Sequence, residues 1–102
     1  MKAIVILNYK LYKEASAGKS LELSRKIAKV KTNGYEVVVT PSLLTMKEVI
    51  DKTKLIVYAQ HADHVTLGAH TGRISIEELK KIGAKGTILN HSERKIPLRY
   101  LY

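Results

Sequence analysis

With 102 residues, 45% of them hydrophobic, the chain has room for one small domain and is too apolar for a disordered segment. Eighteen Lys and Arg against nine Asp and Glu leave a net charge of +9, which favours anionic partners such as nucleic acid, acidic membranes or phosphorylated metabolites. The absence of cysteine excludes disulfides and thiolate metal sites.

The chain opens on Met1-Lys2 and the apolar run Ala3 to Leu7, too short for the roughly 7–15 apolar residues of a signal core. No stretch approaches the ~20 residues of a membrane span, and a soluble, cytoplasmic chain is the expectation. Ala3 to Leu7 reads as the first strand, followed by "KSLELSRKIAKVKTNG". There Leu21, Leu23, Ile27, Ala28 and Val30 trace a helical stripe ended by Asn33-Gly34. Tyr35 to Thr40 is a β-branched second strand. "SLLTMKEVIDK" then carries Thr45-x-x-Glu48, a capping box for a second helix. Leu55 to Ala59 is the third strand, and after a long connection over residues 61–74 the Ser75-x-x-Glu78 of "SIEELKKIGA" opens a third helix that Gly83 closes. Gly86 to Leu89 completes the set. All four apolar runs read as strands buried on both faces, and the alternation of strand and helix predicts right-handed crossovers and a parallel α/β sheet.

Ligands of such sheets gather at the carboxyl ends of the strands, so the residues there are the candidates. Asn8 and Lys10, two apart on an extended segment, are predicted to share one side of strand one. Strand four ends in "NHSERK". His91 and Glu93 would face the same pocket as Lys10 if the sheet curls, with Glu93 holding the ammonium and His91 donating beside it. Taken alone, the Asn-x-Lys pair is ordinary turn chemistry, and "HSER" equally suits a helix start capped by Ser92. His61, His64 and His70, with Asp63, have spacings that admit a metal site, but no cysteine joins them and ordinary loop histidines are favoured.

Four motifs in order, "ILNYKLYKEA", "YAQHAD", "GAHTGRIS" and "ILNHSERK", resemble triosephosphate isomerase in its shorter archaeal form. The resemblance covers essentially all of residues 1–102 and implies a single domain, the parallel (β/α)4 half of a TIM (β/α)8 barrel holding strands one to four. It further implies that Lys10 contacts the substrate phosphate and the developing oxyanion, with Asn8 beside it. His91 would polarise the carbonyl as a neutral imidazole, a tuning for which this enzyme family is itself the standard example. Glu93 would pair with Lys10, Ser92 would support the turn, and Thr71 would tip a loop that buttresses a neighbouring subunit. The reaction implied is interconversion of dihydroxyacetone phosphate and glyceraldehyde 3-phosphate, a step of glycolysis and gluconeogenesis that uses no metal and no organic cofactor.

Such a reaction also needs a carboxylate base after strand six, a closing loop, and glycine-rich phosphate turns after strands seven and eight. These have no counterpart in the sequence. Two copies closed into a pseudo-barrel would place Val39-Thr40-Pro41-Ser42 at the base position, with no carboxylate. The isolated chain is therefore expected to be inactive or nearly so, with a complementary C-terminal half-barrel or a homo-oligomer as partner, and neither nucleic acid nor membrane. Two alternatives stay open: a basic nucleic-acid-binding module, whose affinity would fall steeply with salt, and a non-catalytic assembly subunit.

Overall fold

The structure, a computed structural model, describes residues 3–100. Strands β1 (Ala3–Asn8), β2 (Tyr35–Thr40), β3 (Ile56–Ala59) and β4 (Gly86–Thr87) alternate with helices α1 (Gly18–Ala28), α2 (Met46–Lys52) and α3 (Ile76–Ile82). The strands form one sheet in the order β1-β2-β3-β4, every neighbouring pair parallel. This is a parallel (β/α)4 arrangement, consistent with part of a TIM barrel. Its radius of gyration, 14.1 Å, exceeds the ~13 Å of a compact 100-residue domain, and the extents of 41 × 32 × 25 Å are those of an elongated body. Among the described residues no helix is long and apolar enough to cross a membrane.

The core lies between the sheet and its helices. Val39, Val57 and Ala59 from the strands pack with Met46 and Val49 of α2 and Leu79 of α3. β2 fits the expected two-sided burial at its end, where Val38 and Val39 are closed off on opposite faces. β1 does not. Ile4 is 57% exposed and Ile6 49%, and on the other face Val5 is 40% and Leu7 37% exposed. The apolar composition of β1 is that of an interior strand, but among the described residues it has β2 on one side only and nothing pairs with its outer edge.

The expected stripe on α1 is also corrected. The fully buried positions are Ser20 and Ser24, whereas Leu21, Leu23 and Ile27 are half-buried and Ala28 and Val30 exposed. Hydroxyls win here because they have partners: Tyr9 and Ser24 share a hydrogen bond of 2.8 Å, Ser24 Oγ donates to Ser20 O at 2.7 Å, and Thr45 Oγ1 donates to Ser20 Oγ at 3.0 Å. Small hydroxylated side chains let α1 approach α2 and Tyr9 closely, with no orphaned polar group among the described residues. Burial pushes the Tyr9 phenol up from its ordinary value, and the hydrogen bond with Ser24 offsets part of that.

Thr45 therefore does not form the expected capping box; its hydroxyl is spent on Ser20 and Ser42, and no side chain caps α2. Nor does Asn33-Gly34 end α1, which stops at Ala28 and leaves these two residues in the turn before β2. The third helix matches its reading: Ser75 Oγ accepts from Glu77 N at 3.1 Å and Glu78 N at 3.5 Å. Gly83 takes a left-handed φ of 106° at its end. Only Gly86 and Thr87 of the fourth apolar run pair as a strand, although Ile88 N continues the ladder to Ala59 O at 2.8 Å. Residues 91–95 form a turn rather than a helix start, and a short 3₁₀ turn follows at Leu98–Tyr100.

A methyl group added at Gly83 would sit 2.9 Å from Ile50 Cγ2, besides straining the positive φ. Gly83→Ala is expected to lower the free energy of urea unfolding by about 1–2 kcal/mol. Gly34→Ala, with φ of 85° but nothing within 4 Å, should cost less. Paired denaturation curves check the ranking.

Candidate active site

β1 and β4 are the outermost strands, yet the segments that follow their carboxyl ends meet. Lys10 Nζ lies 3.3 Å from Glu93 Oε2, joining residues eighty-three positions apart. Both side chains line a cavity of about 750 Å³ together with Asn8, Gln60, His61 and His91. Of the residues singled out in the sequence, Asn8, Lys10, His91 and Glu93 are brought together. Ser92 and Thr71 are exposed and do not line the cavity, although Gly72, beside Thr71, does.

Lys10 is not on an extended segment as its spacing from Asn8 predicted. Its backbone is left-handed, with φ of 52°, a conformation that costs an L-residue about 1–2 kcal/mol. Side chains from its neighbours hold it there. Asn8 Oδ1 accepts from Lys10 N at 2.9 Å, and Gln60 Nε2 donates to Lys10 O at 2.8 Å and to Thr40 O at 3.0 Å. Thr40 Oγ1 in turn donates to Asn8 Oδ1 at 3.3 Å. The ends of β1, β2 and β3 are thus laced together beneath the ammonium. Gln60 and Thr40 were not among the sequence candidates; their position at the carboxyl ends of strands was the available signal.

His91 is oriented by its own turn. The Glu93 backbone N–H donates to His91 Nδ1 at 3.0 Å, which fixes that nitrogen as the unprotonated one and leaves the proton of the neutral ring on Nε2. The Glu93 carboxylate stands 3.6 Å from the same Nδ1, outside hydrogen-bond reach. Glu93 therefore orients the imidazole through its backbone and the lysine through its side chain. At 36% and 58% side-chain exposure, the Lys10–Glu93 pair contributes only about 0–1 kcal/mol to stability, and its importance is positional.

The loop over residues 61–74 is closed at its base. Asp63 N donates to Ile74 O at 2.8 Å and Ile74 N to Asp63 Oδ2 at 2.7 Å, while His61 Nε2 meets Asp63 Oδ1 at 2.7 Å and Arg73 lies 3.6 Å away. Burial alone would raise the Asp63 pKa. The His61 and Ile74 hydrogen bonds, with the His61 and Arg73 charges, outweigh it and hold the carboxyl below its usual range. His64 stacks on Tyr100 at 5.5 Å between ring centroids, and His70 Nδ1 donates to Thr66 O at 2.9 Å. The three loop histidines thus point to three different partners, and no group of metal-ligating side chains converges among the described residues.

A family model described as triosephosphate isomerase matches residues 3–99. The chain belongs to the triosephosphate isomerase family. Proteins named triosephosphate isomerase from Sulfurisphaera tokodaii, Sulfolobus acidocaldarius and Methanocaldococcus jannaschii are 43%, 41% and 35% identical to it. Each aligns over 93% of this chain but only 42%, 42% and 44% of the relative. The chain therefore spans less than half the length of these triosephosphate isomerases, and the part it matches is the one expected to hold strands one to four.

Two measurements probe this arrangement. The folded Asp63 carboxyl titrates below the ~3.9 of an unfolded aspartate, so its contribution to stability is complete above that value and is lost as pH falls through the folded one. Asp63→Asn is expected to flatten the loss of stability below about pH 4, seen in urea midpoints across an acid series. Gln60→Ala should release the Lys10 carbonyl, lowering stability by about 1–2 kcal/mol and shifting the backbone amide signals of Lys10 and Leu11.

Proposed function

We propose that this chain supplies the oxyanion-stabilising half of a triose-phosphate isomerase and turns over substrate only with a complementary half-barrel. The reading rests above all on one juxtaposition: Lys10 and His91 line one cavity at the carboxyl rim of a parallel sheet, and the hydrogen bond to His91 Nδ1 leaves the proton of its neutral ring on Nε2. Removing a proton from C1 of dihydroxyacetone phosphate places negative charge on O2. A fixed ammonium and an imidazole N–H stabilise that charge, and return of a proton to C2, with the hydroxyl proton passing from O1 to O2, yields glyceraldehyde 3-phosphate. In this scheme Lys10 and His91 are the catalytic residues, Asn8 binds substrate beside Lys10, and Glu93 positions both. Ser92 supports the turn that carries them, and Thr71 reaches toward a neighbouring subunit.

The base comes from elsewhere. Of the nine carboxylates only Asp63 and Glu93 line the cavity. Asp63 is saturated by His61, Ile74 and Arg73 and held below its usual pKa, so it is a poor proton acceptor, and Glu93 is engaged by Lys10. The exposed apolar β1, together with Leu11 and Leu44 at the cavity rim, supplies the surface on which a partner with a parallel strand would dock. The match of 93% of the chain to less than half of each relative supports the same view.

Purified, mass-verified chain is expected to show no enzyme-like turnover in a coupled isomerase assay. Mixed with a chain carrying the C-terminal remainder of the Sulfurisphaera tokodaii relative, it should gain activity that His91→Gln lowers by about 10²–10³-fold. Robust turnover by the chain alone would refute the division of labour, and complemented activity indifferent to His91→Gln would refute the assignment of the imidazole.

A further inference from the structure

A second cavity, of about 280 Å³, lies between the 61–74 loop and the segment after His91, and its walls carry His64, His70, Arg73, Arg94, Lys95 and Tyr100. Three cations and two imidazoles thus surround a space whose one carboxylate, Asp63, is only 8% exposed and already holds His61, Ile74 N and Arg73. Among the described residues Arg94 and Lys95 have no carboxylate within 4.0 Å. Arg73 meets Asp63 at 3.6 Å, but Arg94 and Lys95 lack such a counter-charge and repel one another and Arg73, and a bound anion relieves that repulsion.

We propose that this groove is a second anion site, separate from the cavity of Lys10 and His91, that takes a compact ligand with two adjacent phosphoryl groups. The two-walled arrangement sets the valence: Arg73 and His70 belong to the loop and Arg94 and Lys95 to the facing segment, so a single phosphoryl group satisfies one wall and a diphosphate satisfies both. The size sets the bulk, since about 280 Å³ is at the lower edge of small-ligand sites, which span roughly 300–1,000 Å³. Nucleic acid fits poorly, because the Tyr100 ring on which a base would stack is already covered by His64 at 5.5 Å and by the Arg99 guanidinium at 4.8 Å. Arg94 also lines the larger cavity, so an anion bound in the groove draws on a charge that faces the proposed reaction site.

The test is calorimetric titration of the purified 102-residue chain with inorganic pyrophosphate, with orthophosphate in parallel. Pyrophosphate is expected to saturate a site that orthophosphate fills more weakly. Lys95→Gln and Arg73→Gln should each weaken it by about tenfold, and Lys10→Ala should leave it in place. In the wild-type chain, the ring resonances of His64 and His70 should move on titration more than those of His91. Loss of pyrophosphate binding in Lys10→Ala with none in Lys95→Gln, or ring shifts confined to His91, would assign the ligand to the larger cavity and overturn the proposal. So would a response that never saturates and follows ionic strength alone, or a single-stranded RNA that binds more tightly than pyrophosphate and loses affinity in Lys95→Gln. If Arg73→Gln unfolds through Asp63, Lys95→Gln and the wild-type resonances still decide.

Discussion

The site depends on the parallel order of the strands, which places all four carboxyl ends on one side of a twisted sheet. Lys10 follows the first strand of the sheet and Glu93 the last, with two strands between, yet their side chains meet at 3.3 Å. On a planar sheet, strands three places apart stand about 14 Å from one another. The pair closes that gap through the turn at Lys10, the segment from Ile88 to Glu93 and the length of both side chains, so it ties the two outermost strands together without setting the twist of the sheet. An exposed pair of this kind contributes too little energy to bend a sheet, whereas the packing of Val39, Val57, Met46, Val49 and Leu79 between sheet and helices holds the twist in place.

On that twisted frame the backbone does the fine positioning. Lys10 adopts a conformation it would avoid in isolation, and the cost is offset by hydrogen bonds from three strand ends: Asn8 on its N–H, Gln60 on its carbonyl, and Thr40 behind both. A lysine in a relaxed extended strand would project from the sheet face and sweep a wide arc on its four-carbon stem. The left-handed turn aims the stem into the cavity. The same economy operates at the other rim, where one residue, Glu93, sets the ring of His91 with its amide and meets Lys10 with its carboxylate.

Much of this was legible in the sequence. The apolar runs, the alternation with helices, the Ser75 cap and the residues converging from "NYK" and "NHSE" all follow from local patterns, because period, capping and strand-end chemistry are local properties. The misreadings arise where a side chain answers to a distant partner. The Thr45-x-x-Glu48 spacing fits a capping box, but Thr45 spends its hydroxyl on Ser20, twenty-five residues away. Ser20 and Ser24 look like the polar face of α1 and are its buried face, because Tyr9 and Thr45 satisfy them. β1 reads as an interior strand, but among the described residues only β2 pairs with it, and its side chains stay exposed. The left-handed backbone of Lys10 leaves no trace in residue type, since glycine, its usual signature, is absent at that position.

The groups that orient Lys10 and His91 all lie between Asn8 and Glu93, so the geometry of the oxyanion-stabilising side is self-contained. Its electrostatic strength is not. With Lys10 more than a third exposed and Glu93 more than half exposed, water screens the ammonium, and a charge that interacts by about 1 kcal/mol at 4 Å in water interacts by about 4 kcal/mol at the same distance near a protein surface of lower dielectric. Covering the apolar β1 and the rim at Leu11 and Leu44 would therefore do more than bury hydrophobic area. By excluding solvent from the cavity it would deepen the stabilisation that Lys10 and His91 offer an oxyanion, so that docking and catalytic strength depend on the same uncovered surface.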